Sequence, residues 1–276
     1  MPEYGGKIIN FSCDDFNIFR PIPLDKINFE KAYKGGSFAL VPFSNRLKNA
    51  EFYFEDMFYK INANAFPHSI HGHGKYVSWD VIKKTNSSAV IKYEHNSNAF
   101  GWPWDYQAKQ SFSLKDLECT MELTVKNKSN INMPVGFGIH PFFNFDDEIQ
   151  LKFKAEKEWI GAPEEFPIKT KFVENNFHIN DGKKLWKIQK TVCYENFEGE
   201  IEISWVNKNK KIKINADKVF NHLIVHVPKG GKYFCIEPVS HPTDSFNLVH
   251  KKIENIKNQF LKPNESFTGS IKIGVN

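Results

Sequence analysis

The chain has almost no arginine: of its 37 basic residues only Arg20 and Arg46 are arginines. An arginine in that background invites a reason, such as its rigid planar fork of donors. Cysteine is also scarce. Cys13, Cys119, Cys193 and Cys235 lie far apart, form no C-x-x-C pair and have apolar or aromatic neighbours. They signal neither a disulfide framework nor a zinc site and read as buried thiols. No apolar run approaches the ~18 residues a membrane helix needs. The opening Met1-Pro2-Glu3-Tyr4-Gly5-Gly6 lacks the basic-then-apolar order of a signal peptide. The expectation is therefore a cytoplasmic protein with no membrane partner. Internal repeats, low-complexity linkers and long segments of helical period are missing as well. The net charge of +5 comes from lysines spread along the chain, often alternating with apolar residues. No dense basic block or nucleic-acid motif appears, so a solvated surface is expected and no nucleic-acid partner.

Phenylalanine is abundant, with 26 in 276 residues, and supplies large apolar payloads and ring surface for a pocket. The recurring pattern is alternation. Leu117, Cys119, Met121, Leu123 and Val125 point one way, with charged and hydroxyl residues between them. Ile149, Leu151, Phe153 and Ala155 repeat the pattern, as do Ile201, Ile203 and Trp205, Ile212 with Ile214, and Ile271 with Ile273. Period-two strands separated by Asn, Gly, Pro and Lys turns predict an all-β fold. The expected architecture is a large two-sheet antiparallel β-sandwich, one domain over residues 1–276, with a short helix between Val249 and Asn258.

Five stretches interrupt the alternation with polar groups that are costly to bury without partners. Val135-Gly136-Phe137-Gly138-Ile139-His140-Pro141-Phe142-Phe143 sets an imidazole between glycine-lightened backbone and two aromatic rings. Such an imidazole either exchanges protons in a partly dry pocket or closes a strand as core. Arg46, after Val41-Pro42-Phe43-Ser44-Asn45, reaches either ligand oxygens or a structural carboxylate. Pro67-His68-Ser69-Ile70-His71-Gly72-His73-Gly74 carries three histidines in six residues. No Cys or carboxylate adjoins them, so a hydrogen-bonding loop is favoured over a metal site. Trp102 and Trp104 offer indole faces for a sugar ring or for the core. Glu237 shares a strand face with Tyr233 and Cys235, where burial raises a carboxyl pKa towards that of a general base. A carboxylate that only ties down its own loop is the alternative.

Together and in this order the stretches resemble the aldose 1-epimerase (galactose mutarotase) family. Asn45-Arg46-Leu47 is similar to its Asn-Arg-Ile, and Ile70-His71-Gly72 to its Leu-His-Gly. Gly138-Ile139-His140-Pro141-Phe142-Phe143 resembles Gly-Phe-His-Pro-Tyr-Phe. Glu237-Pro238 with Asp244-Ser245-Phe246-Asn247 matches its Glu-Pro segment, and Leu261-Lys262-Pro263-Asn264-Glu265-Ser266 resembles Leu-x-Pro-Gly-Glu-Ser.

The resemblance implies a galactose mutarotase-like sandwich that interconverts the anomers of a free hexose, with no metal and no organic cofactor. His140 becomes the general acid and Glu237 the general base, on opposite sides of one pocket. Arg46, His71, Trp104, Phe142 and Thr191 become substrate-binding residues. Unperturbed values give carboxylate and imidazolium together at about pH 4.3–6.5. The expected partner is a small-molecule sugar, and the expected assembly a monomer or homodimer. Two positions depart from the pattern. Thr191 stands where relatives commonly carry a sugar-binding aspartate, which Asp181 or Asp217 would have to replace. Gly74-Lys75-Tyr76 replaces a tryptophan. Two alternatives stay open: a phosphorylated sugar, with His68, His73, Lys75 and Lys229 as candidate cations, and a non-catalytic carbohydrate-binding protein.

Overall fold

Alternating side chains give each strand one face for a core and one for something else, and the sandwich follows from that division. The computed structural model describes residues 1–28, 33–146, 148–173, 177–179, 185, 189–253, 256–257 and 259–275. Among them, nine strands form one antiparallel sheet that runs from Phe177–Ile179 at one edge to Asp80–Lys84 at the other. At its centre Glu118–Asn127 pairs with Tyr106–Lys115 on one side and Ser266–Val275 on the other. Cys119, Met121, Leu123 and Val125 face inward as expected, and so do Ile149, Leu151, Phe153, Ile201, Ile203, Trp205, Ile212, Ile214, Ile271 and Ile273. Leu117 does not: it lies in the turn opened by Asp116 at φ +52° and is 61% exposed. No helix of the described residues is long and apolar enough to cross a membrane.

The second sheet carries the site. Its seven strands lie in the spatial order Thr170–Phe172, Lys157–Trp159, Thr191–Glu195, His222–His226, Tyr233–Val239, Gly138–Asn144, Ser37–Leu40. One face, with Ala39, Ile139, Phe143, Val192, Tyr194, Leu223, Val225, Phe234 and Ile236, packs into the core shared with the nine-stranded sheet. The other face turns away from that core. Leu40, Trp159, Cys193, Ile224 and Val239 make a small apolar cluster there with Leu248. Register places Phe38 beside His140, Ile224 beside Glu237 and Thr191 beside His226 on that same face. Period two thus sends the polar residues of four neighbouring strands, with Phe38 of a fifth, to one surface while their neighbours fill the core.

The helix is displaced from the expected 249–258 and runs Ser245–His250. It buries Phe246 and Leu248, two residues apart, a spacing that reads as strand in a sequence. Positions 254, 255 and 258 of the expected span lie outside the described residues.

Trp104 is fully buried and packs on Phe52, Tyr59 and Trp102 with ring centroids 4.7–6.3 Å apart. It is core and does not line the cavity described below, which corrects the expectation of an exposed sugar platform. Truncation to Ala should cost about 3–5 kcal/mol of unfolding free energy in urea titrations. A change below about 1 kcal/mol would contradict this core assignment.

Candidate active site

The free face of the seven-stranded sheet forms the floor of a cavity of about 520 Å³, a volume suited to a small ligand. His140, Phe142, Thr191, Glu237, Arg46 and His71, six of the seven site residues expected from the sequence, line it. At its centre His140 Nε2 lies 3.3 Å from Glu237 Oε1. The two are neighbours, not residues facing each other across the pocket as expected, because adjacent strands present them side by side. Phe38 and Phe142 stack on the imidazole at 4.7 and 4.6 Å and keep water from it. Burial is accordingly the main cause of both pKa shifts. Glu237 is pushed up to about 8, against the pull of Arg46 and Lys75, and His140 is held well below the usual histidine value. The unperturbed window of coexisting ions therefore does not apply. At neutral pH the pair holds one proton, written equally as carboxylic acid with imidazole or carboxylate with imidazolium. Glu237 Oε2 and His140 Nδ1 have no hydrogen-bond partner among the described residues, an unusual state for buried polar atoms.

Two loops close the wall around this pair. Arg46–Leu47 pairs with Ser69–Ile70 as a short ribbon, and the backbone N–H of His71 donates to the Asn45 carbonyl. Asn45 and His71 hold positive φ, +53° and +63°, a conformation sparsely populated away from glycine. Gly72 follows at φ +60°, where a Cβ would stand 1.8 Å from the Val41 carbonyl oxygen. The Asn45 N–H donates to His71 Nδ1 at 3.1 Å. That bond fixes the tautomer. The neutral ring, kept neutral by burial and by the charge of Lys75, carries its hydrogen on Nε2 and presents a donor to the cavity. His71, His140 and Glu237 offer ligand atoms within 4.8 Å of one another, a grouping with the donor types of a metal site. With Nδ1 engaged as an acceptor, His71 presents N–H and not a lone pair, which fits an oxygen-bearing ligand better than a cation.

A second histidine anchors the loop from behind. Ser44 N–H donates to His241 Nε2 at 3.1 Å, and His241 Nδ1 donates to the Pro242 carbonyl at 2.8 Å. Gly136 makes room for that ring: a Cβ there would meet His241 Cδ2 at 1.9 Å. Arg46 Nη1 pairs with Glu164 at 3.0 Å at the cavity wall, so it serves both as structural ion pair and as lining.

Other expectations divide. Thr191 is in the site, and its hydroxyl is 2.8 Å from His226 Nδ1. Asp217 does not replace the missing aspartate, since its carboxylate accepts from Ser270 on the other sheet; Asp181 lies outside the described residues. Of the cation candidates only Lys75 lines the cavity. His68 accepts from Asn49 N–H, His73 is buried against the Tyr106 hydroxyl, and Lys229 sits in an exposed turn. The sequence reading missed Lys7, Lys34, Tyr33, His226 and Tyr233, which also line the wall. Tyr233 had a legible signal, its shared strand face with Glu237.

The family model described as aldose 1-epimerase matches residues 1–274. The uncharacterized protein YphB of Escherichia coli (strain K12) is 25% identical over 287 residues, covering 100% of this chain and 94% of its own. A galactose mutarotase-like protein from Clostridium acetobutylicum superposes with a TM-score of 0.84 at 21% identity, covering 100% of this chain and 91% of its own. Another from Lactobacillus casei gives 0.79 at 16%, covering 99% and 95%. At these identities the solved structures bear on the fold alone, and they agree with the expected sandwich.

Two predictions follow from the packing. Gly136→Ala should displace His241, release the Ser44 N–H and destabilise the chain by about 1–3 kcal/mol in urea titrations. An unchanged midpoint would contradict the contact. Glu237 binds its proton more tightly folded than unfolded. Its contribution to stability is thus complete below the unfolded value of about 4.5 and is lost as pH rises through about 8. Glu237→Gln should therefore gain in melting temperature over the wild type as pH rises across that interval. A difference independent of pH would contradict the raised pKa.

Proposed function

The chain belongs to the aldose 1-epimerase family, and we propose that it interconverts the α and β anomers of an aldose, with Glu237 and His140 as the proton-transfer pair. The observation that carries this is the carboxyl–imidazole contact of 3.3 Å, buried in a cavity of sugar size. A hemiacetal has its C1 hydroxyl and its ring oxygen on the same carbon. The base that serves one and the acid that serves the other must therefore stand close together. Their side-by-side placement on neighbouring strands suits that demand better than opposite walls would.

The steps follow from the one-proton pair. Transfer of the shared proton to His140 leaves Glu237 as carboxylate without exchanging a proton with solvent. Glu237 takes the proton from the C1 hydroxyl while His140 gives one to the ring oxygen. The C1–O5 bond breaks as the carbonyl forms. Rotation about C1–C2 and reversal of both transfers closes the ring with the other configuration, and the pair regains its starting proton count. Arg46 and the His71 Nε2–H donate to sugar oxygens and stabilise charge that develops there. The apolar Phe38 and Phe142 faces exclude water and strengthen those interactions.

Polarimetry or exchange NMR on freshly dissolved aldoses tests the assignment. His140→Asn and Glu237→Gln should each lower kcat by about 10²–10⁴-fold, the usual worth of a positioned acid or base. Retained acceleration in both would overturn the proposed roles. The pH profile has a definite sign. Activity requires the one-proton pair, so kcat/KM should fall above about pH 8, where Glu237 loses its proton, and should persist below pH 6.5 because His140 resists a second one. An acid limb near 6.5 with no alkaline limb near 8 would contradict it.

A further inference from the structure

The same cavity holds a group of cations that proton transfer does not use. Lys7, Lys34 and Lys75 all line it, and none makes an ion pair among the described residues. Lys7 is only 7% exposed, yet its ammonium has neither carboxylate nor hydrogen-bond acceptor there and rests 3.8 Å over the Tyr4 ring. Its Nζ and that of Lys75 lie 5.7 and 5.6 Å from the centroid of one ring, Phe38. Phe38 in turn stacks on His140 at 4.7 Å. The Phe38 ring thus neighbours both the two ammoniums and the imidazole of the acid–base pair.

Lys34 is set in place by the other arginine. Arg20 donates to the Lys34 carbonyl and to the Tyr33 hydroxyl, and its guanidinium stacks against Tyr33 and Tyr233, both cavity residues. The rare arginine secures the segment that brings the third lysine to the rim. The two carboxylates in the cavity are already engaged, Glu164 by Arg46 and Glu237 by His140.

We propose that this cavity takes an aldose bearing an oxyanion remote from C1, a phosphate ester or a carboxylate, held by Lys7, Lys34 and Lys75. Cations as enclosed as Lys7 and Lys75, with no ion pair among the described residues, are costly unless a ligand supplies a counterion. The cost is visible: burial and mutual repulsion hold Lys75 down to about 7 and Lys7 to about 8. A bound oxyanion reverses both effects through charge-assisted hydrogen bonds. This deepens the anomer-exchange reading and rests on it for the orientation of C1 towards Glu237 and His140.

The test measures anomer exchange by NMR and binding by calorimetry on the full chain at low salt, with D-glucose, D-glucose 6-phosphate and D-glucuronate. The expected result is a kcat/KM at least about tenfold higher for a charged sugar than for glucose, reduced by added salt. Preference for the phosphate ester alone or for the uronate alone identifies the oxyanion, and either supports the proposal. Lys7→Met should raise KM for the preferred sugar about tenfold. Lys34→Met, at an exposed position where folding is not at risk, should raise it in the same direction. Glucose exchanged as fast as both charged sugars, with the ratio unmoved in the variants, overturns the oxyanion site and leaves anomer exchange standing. Tight binding of a charged sugar with no exchange of any sugar overturns anomer exchange and supports the oxyanion site. Neither binding nor exchange overturns both.

Discussion

A carboxyl group enclosed beside an imidazole, with aromatic rings where water would be, is the constraint on which the rest of this structure turns. Desolvation disfavours charge on both groups, so each drifts towards neutrality and the pair shares a proton. In water the same two side chains would titrate independently near their ordinary values and hold both ions only over a narrow acidic range. Burial changes the chemistry from two separate ionisations to one proton that moves within a pair. It also makes the site a drain on stability, since an acid held above its normal pKa is favoured only while protonated.

Keeping such a pair in place is the work of the seven-stranded sheet and two loops. Strand alternation puts apolar neighbours of the pair into the shared core, so His140 and Glu237 sit on rigid backbone and not on mobile loop. The loops are held by hydrogen bonds that also fix tautomers. Asn45 decides which nitrogen of His71 carries its hydrogen, and Ser44 does the same for His241. Positive φ at Asn45 and His71 is the backbone strain tolerated to bring Arg46 and His71 to the wall, and Gly72 supplies the next positive φ without it.

The fold was legible because period-two alternation needs no tertiary information. Even so, Leu117 and the helix at Ser245–His250 show its limits, since an apolar residue in a turn and an i, i+2 apolar pair in a helix both read as strand. The motifs around Arg46, His71, His140 and Glu237 were legible as interruptions and Thr191 only through the family resemblance, and the structure gathers them around one cavity. An indole in a loop can turn either to a ligand or to the core, and the sequence does not say which, so Trp104 read as a ligand platform when it fills the core. Lys7 and Lys34 were invisible for the opposite reason: each is one lysine among many, and only the folded sheet makes them neighbours. The upward shift of Glu237 was legible from its strand face, but the lowered His140 was not, because reference values carry no information about desolvation.

The claim that burial leaves one proton on the pair at neutral pH is most directly tested by carbon-13 NMR of protein labelled at glutamate carboxyls, with the Glu237 resonance assigned through Glu237→Gln. A titration midpoint near 8 is predicted. A midpoint near the ordinary carboxyl value of about 4.3 would contradict the account.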